Sequence, residues 1–460
     1  MKSPVKAGDA VAPLLPELQP PDDLDNTGAS FSSAVFNLST SIIGAGIMSI
    51  PATLRVLGLV PAFLLIAIVA FLSDASVEFL MRYSAAGGSS ASSSYSGLMA
   101  ESFGRAGSVA LQICVALTNL GALIMYLIII GDVLSGNGSE GAAHLGVLQE
   151  WFGEQWWTAR SAAIPLTVVV VMLPLVLLRR VDSLKFTSAI SILLAVVFVV
   201  ISSGMALYAL FQGTIKAPRL VPSFSHQSFF ELFTAVPVIV VAFTFHFNVH
   251  PIQAELSRVS DMAPAVRVSL FLCSVIYATV GLAGYLLFGD ATMADVLSNF
   301  DRSSASPLLN DVVRLSYALH LMLVFPLLFY SLRLNIDGLF FPKARRPIVS
   351  DAVRFLCLTF LLLASVYLAA MAIPNIWVVF QFAGSTTAVC LSLIFPGAIV
   401  LRDIHGISKR KDKILAGNMI TLAIITSSIA IYSNVSNLFG GELKSSVLPM
   451  EMYKLHHFSN

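Results

Sequence analysis

Eleven separate stretches of this chain are each long and apolar enough to cross a lipid bilayer, and that repetition leaves few folds open. A spanning helix needs roughly 20 mostly apolar residues. Such segments lie near Ser32–Val56, Leu59–Tyr83, Gly107–Leu134, Ser161–Leu178, Ser183–Phe211, Phe229–Leu256, Val266–Phe288, Leu309–Leu334, Ala352–Ile373, Ile376–Leu401 and Ile414–Leu438. In lipid every backbone N–H and C=O must find a partner within the protein, so segments of this length read as helices. Of the 460 residues, 57% are hydrophobic and 12% are charged, about half the charge of an ordinary soluble domain. The expectation is an all-α polytopic membrane protein with about eleven transmembrane helices. A net charge of +1 offers no basic surface for nucleic acid.

Charge placement sets the expected orientation. With the N-terminus in the cytosol, 19 of the 27 Lys and Arg fall on the cytosolic face and 8 on the other, as the positive-inside rule demands. Arg179-Arg180 and Lys409-Arg410-Lys411 then read as anchors at the cytosolic surface. Residues 1–30 are expected to be a disordered cytosolic tail, polar and rich in Pro and Asp, with no signal peptide. Its Leu14-Leu15 loosely matches an acidic dileucine sorting signal; a plain flexible tail is the other reading. Residues 31–440 form the expected membrane domain, and 441–460 a tail on the non-cytosolic side. The sequon Asn137-Gly138-Ser139 lies on that side, close to the membrane. Gly87–Ser94 reads as a flexible loop, followed by an amphipathic turn at Tyr95–Phe103. The cysteines Cys114, Cys273, Cys357 and Cys390 all sit inside apolar runs, so neither a loop disulfide nor a metal site is expected.

Two spans carry residues that a purely structural helix avoids. In span one, Asn37-Leu-Ser-Thr-Ser-Ile-Ile-Gly-Ala-Gly-Ile-Met-Ser-Ile-Pro51 sets Gly44 and Gly46 at mid-span, with hydroxyls at Ser39, Thr40, Ser41 and Ser49. Glycines weaken the helix and free backbone groups, which membrane depth tolerates only where they line a cavity or meet a ligand. Close packing through small residues is the alternative. In span six, Pro237 precedes Ala242-Phe-Thr-Phe-His-Phe-Asn-Val-His-Pro251, which places His246, Asn248 and His250 in or beside a second break. Matching discontinuous helices in the two halves of a chain point to the binding site of a secondary transporter. Half-helix N-termini there suit a substrate carboxylate, and freed carbonyls suit an ammonium or a cation. A zwitterion fits that chemistry.

At these residues the chain resembles the amino acid/auxin permease family. The stretch Asn37–Pro51, around Gly44-Ala45-Gly46, is similar to that family's first signature. The stretch Phe243–Leu256, with His246, Pro251-Ile252 and Glu255-Leu256, is similar to its second. The resemblance covers about residues 30 to 440 and is closest to the branch holding vacuolar amino acid transporters and sodium-coupled neutral amino acid transporters. It implies a leucine-transporter-like fold, with five-span inverted repeats at about 31–211 and 228–402 and an extra helix at about 414–438. It also implies an amino acid substrate and coupling to protons or sodium, with no other cofactor. Two departures favour the vacuolar, proton-linked branch. The run His320-Leu-Met-Leu-Val-Phe-Pro326 lacks the hydroxyls that precede the span-eight proline in sodium-coupled members, and no cysteines lie in the loops.

The substrate site is therefore expected at Thr40, Ser41, Gly44, Ala45, Gly46 and Ile47 of span one and Phe243, Thr244, Phe245 and His246 of span six. Asn119 and Tyr126 of span three, two turns apart, are candidates to face it. Coupling or gating is assigned to Asn37, His246, Glu255, His320, Asp74 and Glu78. Asp74, Glu78 and Arg82 share one helix face at i, i+4, i+8, where a neutralised ion network is the alternative to a gate or proton relay. The apolar and aromatic lining favours neutral amino acids. No hydrolase, kinase or metal motif is present, so an enzyme is not expected. The leading expectation is a monomeric, proton-linked amino acid carrier of an endomembrane. A sodium-coupled plasma-membrane carrier and an amino acid sensor with little flux are the rivals.

Overall fold

The computed structural model describes residues 29–88, 93–136, 144–178, 185–222, 226–303, 306–341, 348–373 and 375–455. The dileucine, the sequon, Arg179-Arg180 and the middle half of the Gly/Ser loop lie outside them. Among the described residues, nine helices are long and apolar enough to span a bilayer, and one bent helix pair makes a tenth. The remaining apolar segment is the shorter helix Arg160–Val176, in the position of span four. The described residues form no β-strand; one isolated bridge joins Ala29 to Leu256.

Local chemistry starts and stops these helices where the sequence changes character. Ser30 caps span one by accepting from Ser33 N at 3.2 Å, and Ser306 caps span eight with Pro307 at the first helical position. Asn375 caps span ten by accepting from Trp377 N at 2.8 Å. Each cap supplies an acceptor to a first-turn N–H that has no intrahelical partner. The amphipathic turn expected at Tyr95–Phe103 is a helical segment of its own, set off from the span-three helix that runs to Ser135 by the non-helical backbone of Gly104 (φ 66°, ψ −165°). The positive φ there suits glycine. The last helix, Arg410–Leu455, runs past the expected 414–438.

Spans one and six lie at the centre. In the second half of span one, Gly46 through Leu54 are all buried. Span seven packs on both halves of span one, spans three and five pack on span eight, and span eleven packs on span six. The outer spans instead expose leucines and valines such as Leu193, Val200, Leu361 and Val353, the surface that lipid covers.

Ion pairs close both ends of the bundle. At one end Tyr83 donates to Asp403 at 2.6 Å, Lys413 pairs with Asp403 at 2.9 Å and Arg82 with Asp412 at 2.9 Å. Asp403 lies in the loop between spans ten and eleven. The Tyr83 hydroxyl, joined by Lys413 and the Ser408 amide, holds its carboxyl well below the usual carboxylate range. At the other end Arg160 pairs with Asp132, and the buried Arg314 meets Glu150 at 2.5 Å. His144 lies 2.8 Å from Asp301, and Trp151 donates to Asp311 at 2.7 Å. Burial lifts the Glu150 carboxyl above its ordinary range, and Arg314 opposes the lift.

Candidate functional site

Span one is broken where its glycines lie. The half-helix Phe31–Ile42 ends at an extended Ile43, and Gly46–Leu57 restarts at 61° to it. Span six breaks at matching depth. The helix ending at Ala242 gives way to irregular backbone at Phe243–Phe245, a short 3-10 turn at His246–Asn248, and the helix Val249–Glu255. Pro251 falls in the first turn of that last piece, where its missing N–H costs nothing.

The two breaks touch. A Cβ on Gly46 would lie 2.8 Å from Ala242 Cβ and 3.0 Å from Ala242 Cα, so only glycine lets the two backbones meet. A Cβ on Gly44 would lie 2.9 Å from the hydroxyl oxygen of Tyr126. Small-residue packing and the broken site are thus both realised at these two glycines.

Tyrosines answer the carbonyls that the breaks set free. The hydroxyl of Tyr277, from mid-span seven, lies 2.7 Å from Ile42 O and 2.9 Å from Ala242 O. Those are the last helical residues of the first halves of spans one and six. Tyr317 of span eight donates to Gly44 O at 2.8 Å. Phe243 packs its ring edge-on against Tyr277, with centroids 5.2 Å apart. Neither tyrosine figured among the residues expected from sequence. The available signal was general: a phenol buried at mid-span must find an acceptor.

Three histidines surround this centre. His246 is fully buried against the Ser73 backbone of span two, with neither ring nitrogen in good hydrogen-bond geometry. His250 is buried and unpartnered, stacked on Tyr95 at 6.2 Å. His320 stands one turn beyond Tyr317, its ring 4.8 Å from that phenol. Its Nδ1 lies 2.7 Å from Ser191 O. A carbonyl only accepts, so Nδ1 carries the proton and Nε2 keeps a free lone pair. Buried polar atoms left open in this way are uncommon and call for a ligand, a water or a proton.

Other expected residues fall elsewhere. Thr40 and Ser41 turn their hydroxyls back to Asn37 O at 3.0 and 2.8 Å, and so do not offer them to the break. Hydroxyls inside helices commonly bond the preceding turn in this way. Asn119 donates to Ser331 of span eight at 3.1 Å, apart from Tyr126 at Gly44. Thr244 bonds Val240 O at 2.7 Å. Ala45, Ile47, Phe243 and Phe245 are buried at the breaks, and Asn37 is half-buried one turn before them. Glu255 is exposed at the end of span six, where its carbonyl accepts from Ala29 N at 2.7 Å and Ala29 O accepts from Ser257 N at 3.2 Å. Asp74 and Glu78 lie away from the breaks, facing Arg267 of span seven at 3.4 and 3.7 Å.

Comparison with known sequences decides what this centre belongs to. The profile described as "Transmembrane amino acid transporter protein" matches residues 27–437. The chain belongs to the transmembrane amino acid transporter family. It is 56% identical to amino acid transporter AVT6C of Arabidopsis thaliana over 92% of this chain and 98% of that one. It is 51% identical to AVT6A of the same plant, over 94% and 95%. Family members of this kind are transport proteins, and the chain is no enzyme. Among solved structures it resembles a manganese transporter mutant of Eremococcus coleocola, with a TM-score of 0.52 and 14% identity over 92% of this chain and 93% of that one. At that identity the likeness concerns fold alone, and it gives this family member the leucine-transporter-like arrangement with broken spans one and six.

Proposed function

We propose that the chain is a proton-linked secondary transporter. It moves neutral amino acids across a vacuolar or other endomembrane by alternating access, as a monomer with its N-terminus in the cytosol. One observation carries this reading: the two broken helices meet, with freed carbonyls on one side and the start of a new half-helix on the other. The half-helix beginning at Gly46 has no side-chain cap; the Ile47 and Met48 amides bond Gly44 O and Ala45 O at 3.3 and 3.1 Å, and the positive end of its dipole suits a substrate carboxylate. The carbonyls of Ile42 and Ala242, which share the single proton of Tyr277, suit the ammonium. Phe243, Phe245, Ile47 and Tyr126 leave no charged side chain at the centre to prefer an acidic or basic substrate.

Proton rather than sodium coupling is supported by what already occupies the carbonyls. Sodium needs several oxygens stripped of other partners, and here Tyr277 and Tyr317 donate to the ones the breaks provide. The residues before Pro326 in span eight add no hydroxyl. His246, buried at the span-six break, is the group assigned to the coupling proton. Protonation there places a positive charge beside the substrate carboxylate, so each favours binding of the other. The resemblance to the vacuolar branch supports the endomembrane setting, and the 19-to-8 distribution of Lys and Arg supports the orientation.

Proteoliposomes loaded with a panel of amino acids, under an imposed pH or sodium gradient, test this reading. The expected result is accumulation of neutral amino acids driven by pH and indifferent to sodium. His246→Gln should keep exchange and lose pH-driven accumulation. Accumulation driven by sodium alone would replace the reading with a sodium-coupled carrier. Binding without counterflow would replace it with a sensor.

A further inference from the structure

On the outer surface, spans two and seven leave a groove of about 430 Å³ that takes no part in the site above. Phe63 lies at one end of its span-two wall and Asp74 at the other; Ala278 and Arg267 mark the same limits on span seven. At 1.5 Å per residue the groove is roughly 16 Å long. Ala67 and Ala70 give it depth, and Phe71 and Phe271 beside it are 61% and 73% exposed. An apolar channel of this length on an apolar outer face suits an acyl chain.

The charged end of the groove is more selective. Arg267 Nε lies 3.4 Å from Asp74 Oδ2, and Nη2 lies 3.7 Å from Glu78 Oε2. Both contacts exceed the roughly 2.7–2.9 Å of a charge-assisted bond. The Arg267, Glu78 and Asp74 side chains are 61%, 48% and 28% exposed. The guanidinium has further N–H donors that these two contacts leave unused. Arg82 is turned to Asp412 at 2.9 Å and reaches Glu78 only at 3.8 Å. Asp74, Glu78 and Arg267 thus stand loosely paired at the mouth of an apolar groove, and charges on a membrane-facing surface require polar partners.

We propose that this groove binds a zwitterionic glycerophospholipid whose headgroup ends in a primary ammonium. One acyl chain fills the groove, the phosphate sits on Arg267, and the ammonium is held by Asp74 and Glu78. The order of charges makes the choice: a guanidinium flanked by carboxylates matches a phosphate followed by a cation. A headgroup that is only anionic draws Arg267 away from Asp74 and Glu78 and brings them no cation in exchange, leaving only Arg82, 3.8 Å from Glu78; a sterol offers one hydroxyl to the same ions.

Native mass spectrometry of the delipidated full chain, titrated with phosphatidylethanolamine, phosphatidylglycerol or a sterol, tests the proposal. One tightly retained phosphatidylethanolamine is expected. Its apparent affinity should fall about tenfold in Arg267→Gln, the loss of one charge-assisted contact, and its retention should vanish in Ala70→Trp, which fills the groove. Equal retention of phosphatidylglycerol, preferred retention of the sterol, or unchanged retention in Ala70→Trp overturns it. A measurement on the unmutated chain removes dependence on how the tryptophan variant folds. Phosphatidylethanolamine with a photoreactive acyl chain should label peptides holding Ala67–Ala70 and Ser274–Ala278, and labelling confined to other spans likewise overturns the proposal.

Discussion

The hydroxyl of Tyr277 lies 2.9 Å from the carbonyl of Ala242, the residue at which the first half of span six ends. The same oxygen lies 2.7 Å from Ile42 O, where the first half of span one ends. Two helix C-termini, each the negative end of a dipole, therefore converge on one phenol. A phenol has a single proton to give, so at any moment one of the two carbonyls lacks a full donor. An arriving ammonium can supply what the phenol cannot.

Tyr277→Phe should expose that dependence. It removes the one proton that the two carbonyls share, at about 1–3 kcal/mol for the group newly left unsatisfied. Transport should fall at least about tenfold while expression and targeting persist. Tyr277→Ser, which makes room for a cation between the same carbonyls, should recover part of the rate when sodium is added. Flux assays with sodium or choline decide; normal transport by Tyr277→Phe would remove the phenol from the site.

The two glycines of span one should respond differently to the same added methyl. Gly46→Ala drives its Cβ into the backbone of Ala242, and overpacking of this kind costs about 1–3 kcal/mol. Transport should be abolished. Gly44→Ala meets only the end of the Tyr126 side chain, so Tyr126→Phe should restore much of its activity. A double-mutant cycle in uptake rate measures the coupling, and strict additivity would separate Tyr126 from Gly44.

Asp403 offers a clean test of the ionic closure at its end of the bundle. It sits in left-handed backbone at φ 46°, which asparagine adopts with similar ease, so Asp403→Asn removes charge without adding strain. The carboxyl is held below its ordinary range by Tyr83 first and Lys413 after it. Its contribution is present above the unfolded value, about 3.9, and is lost as pH falls through the lower folded one. The variant should melt a few degrees lower at pH 7, and the difference should narrow below about pH 4. A gap that widens with acid would contradict the assignment.

At the opposite end, Arg314 is 1% exposed and bonded to Glu150 and to the carbonyl of Leu145. Glu150→Ala leaves that guanidinium buried without its counter-ion, at a cost of about 3–5 kcal/mol. Replacing both residues with apolar ones should be milder. Thermal unfolding in detergent ranks the two variants, and equal loss would point to packing instead of charge.

The breaks were legible because glycine and proline disturb the helix at their own positions. Gly44, Gly46 and Pro251 therefore mark span one and span six without help from distant residues. The partners were not legible. Tyr277 and Tyr317 come from spans seven and eight, and nothing local distinguishes them from packing aromatics. The hydroxyls of Thr40 and Ser41 were not placed by sequence for a related reason, since a hydroxyl beside a break has a nearer acceptor in its own helix. The shared face of Asp74 and Glu78 followed from their spacing, yet Arg267 lies far along the chain and only the fold sets it beside them.

Ala29 is bonded by its backbone to both Glu255 and Ser257. The start of span one is thereby stitched to the end of span six, and the half-helices Phe31–Ile42 and Val249–Glu255 share one backbone joint. A load applied at Ala29, whether a tethered partner, a bulky tag or a membrane-anchoring group, would bear on both half-helices together.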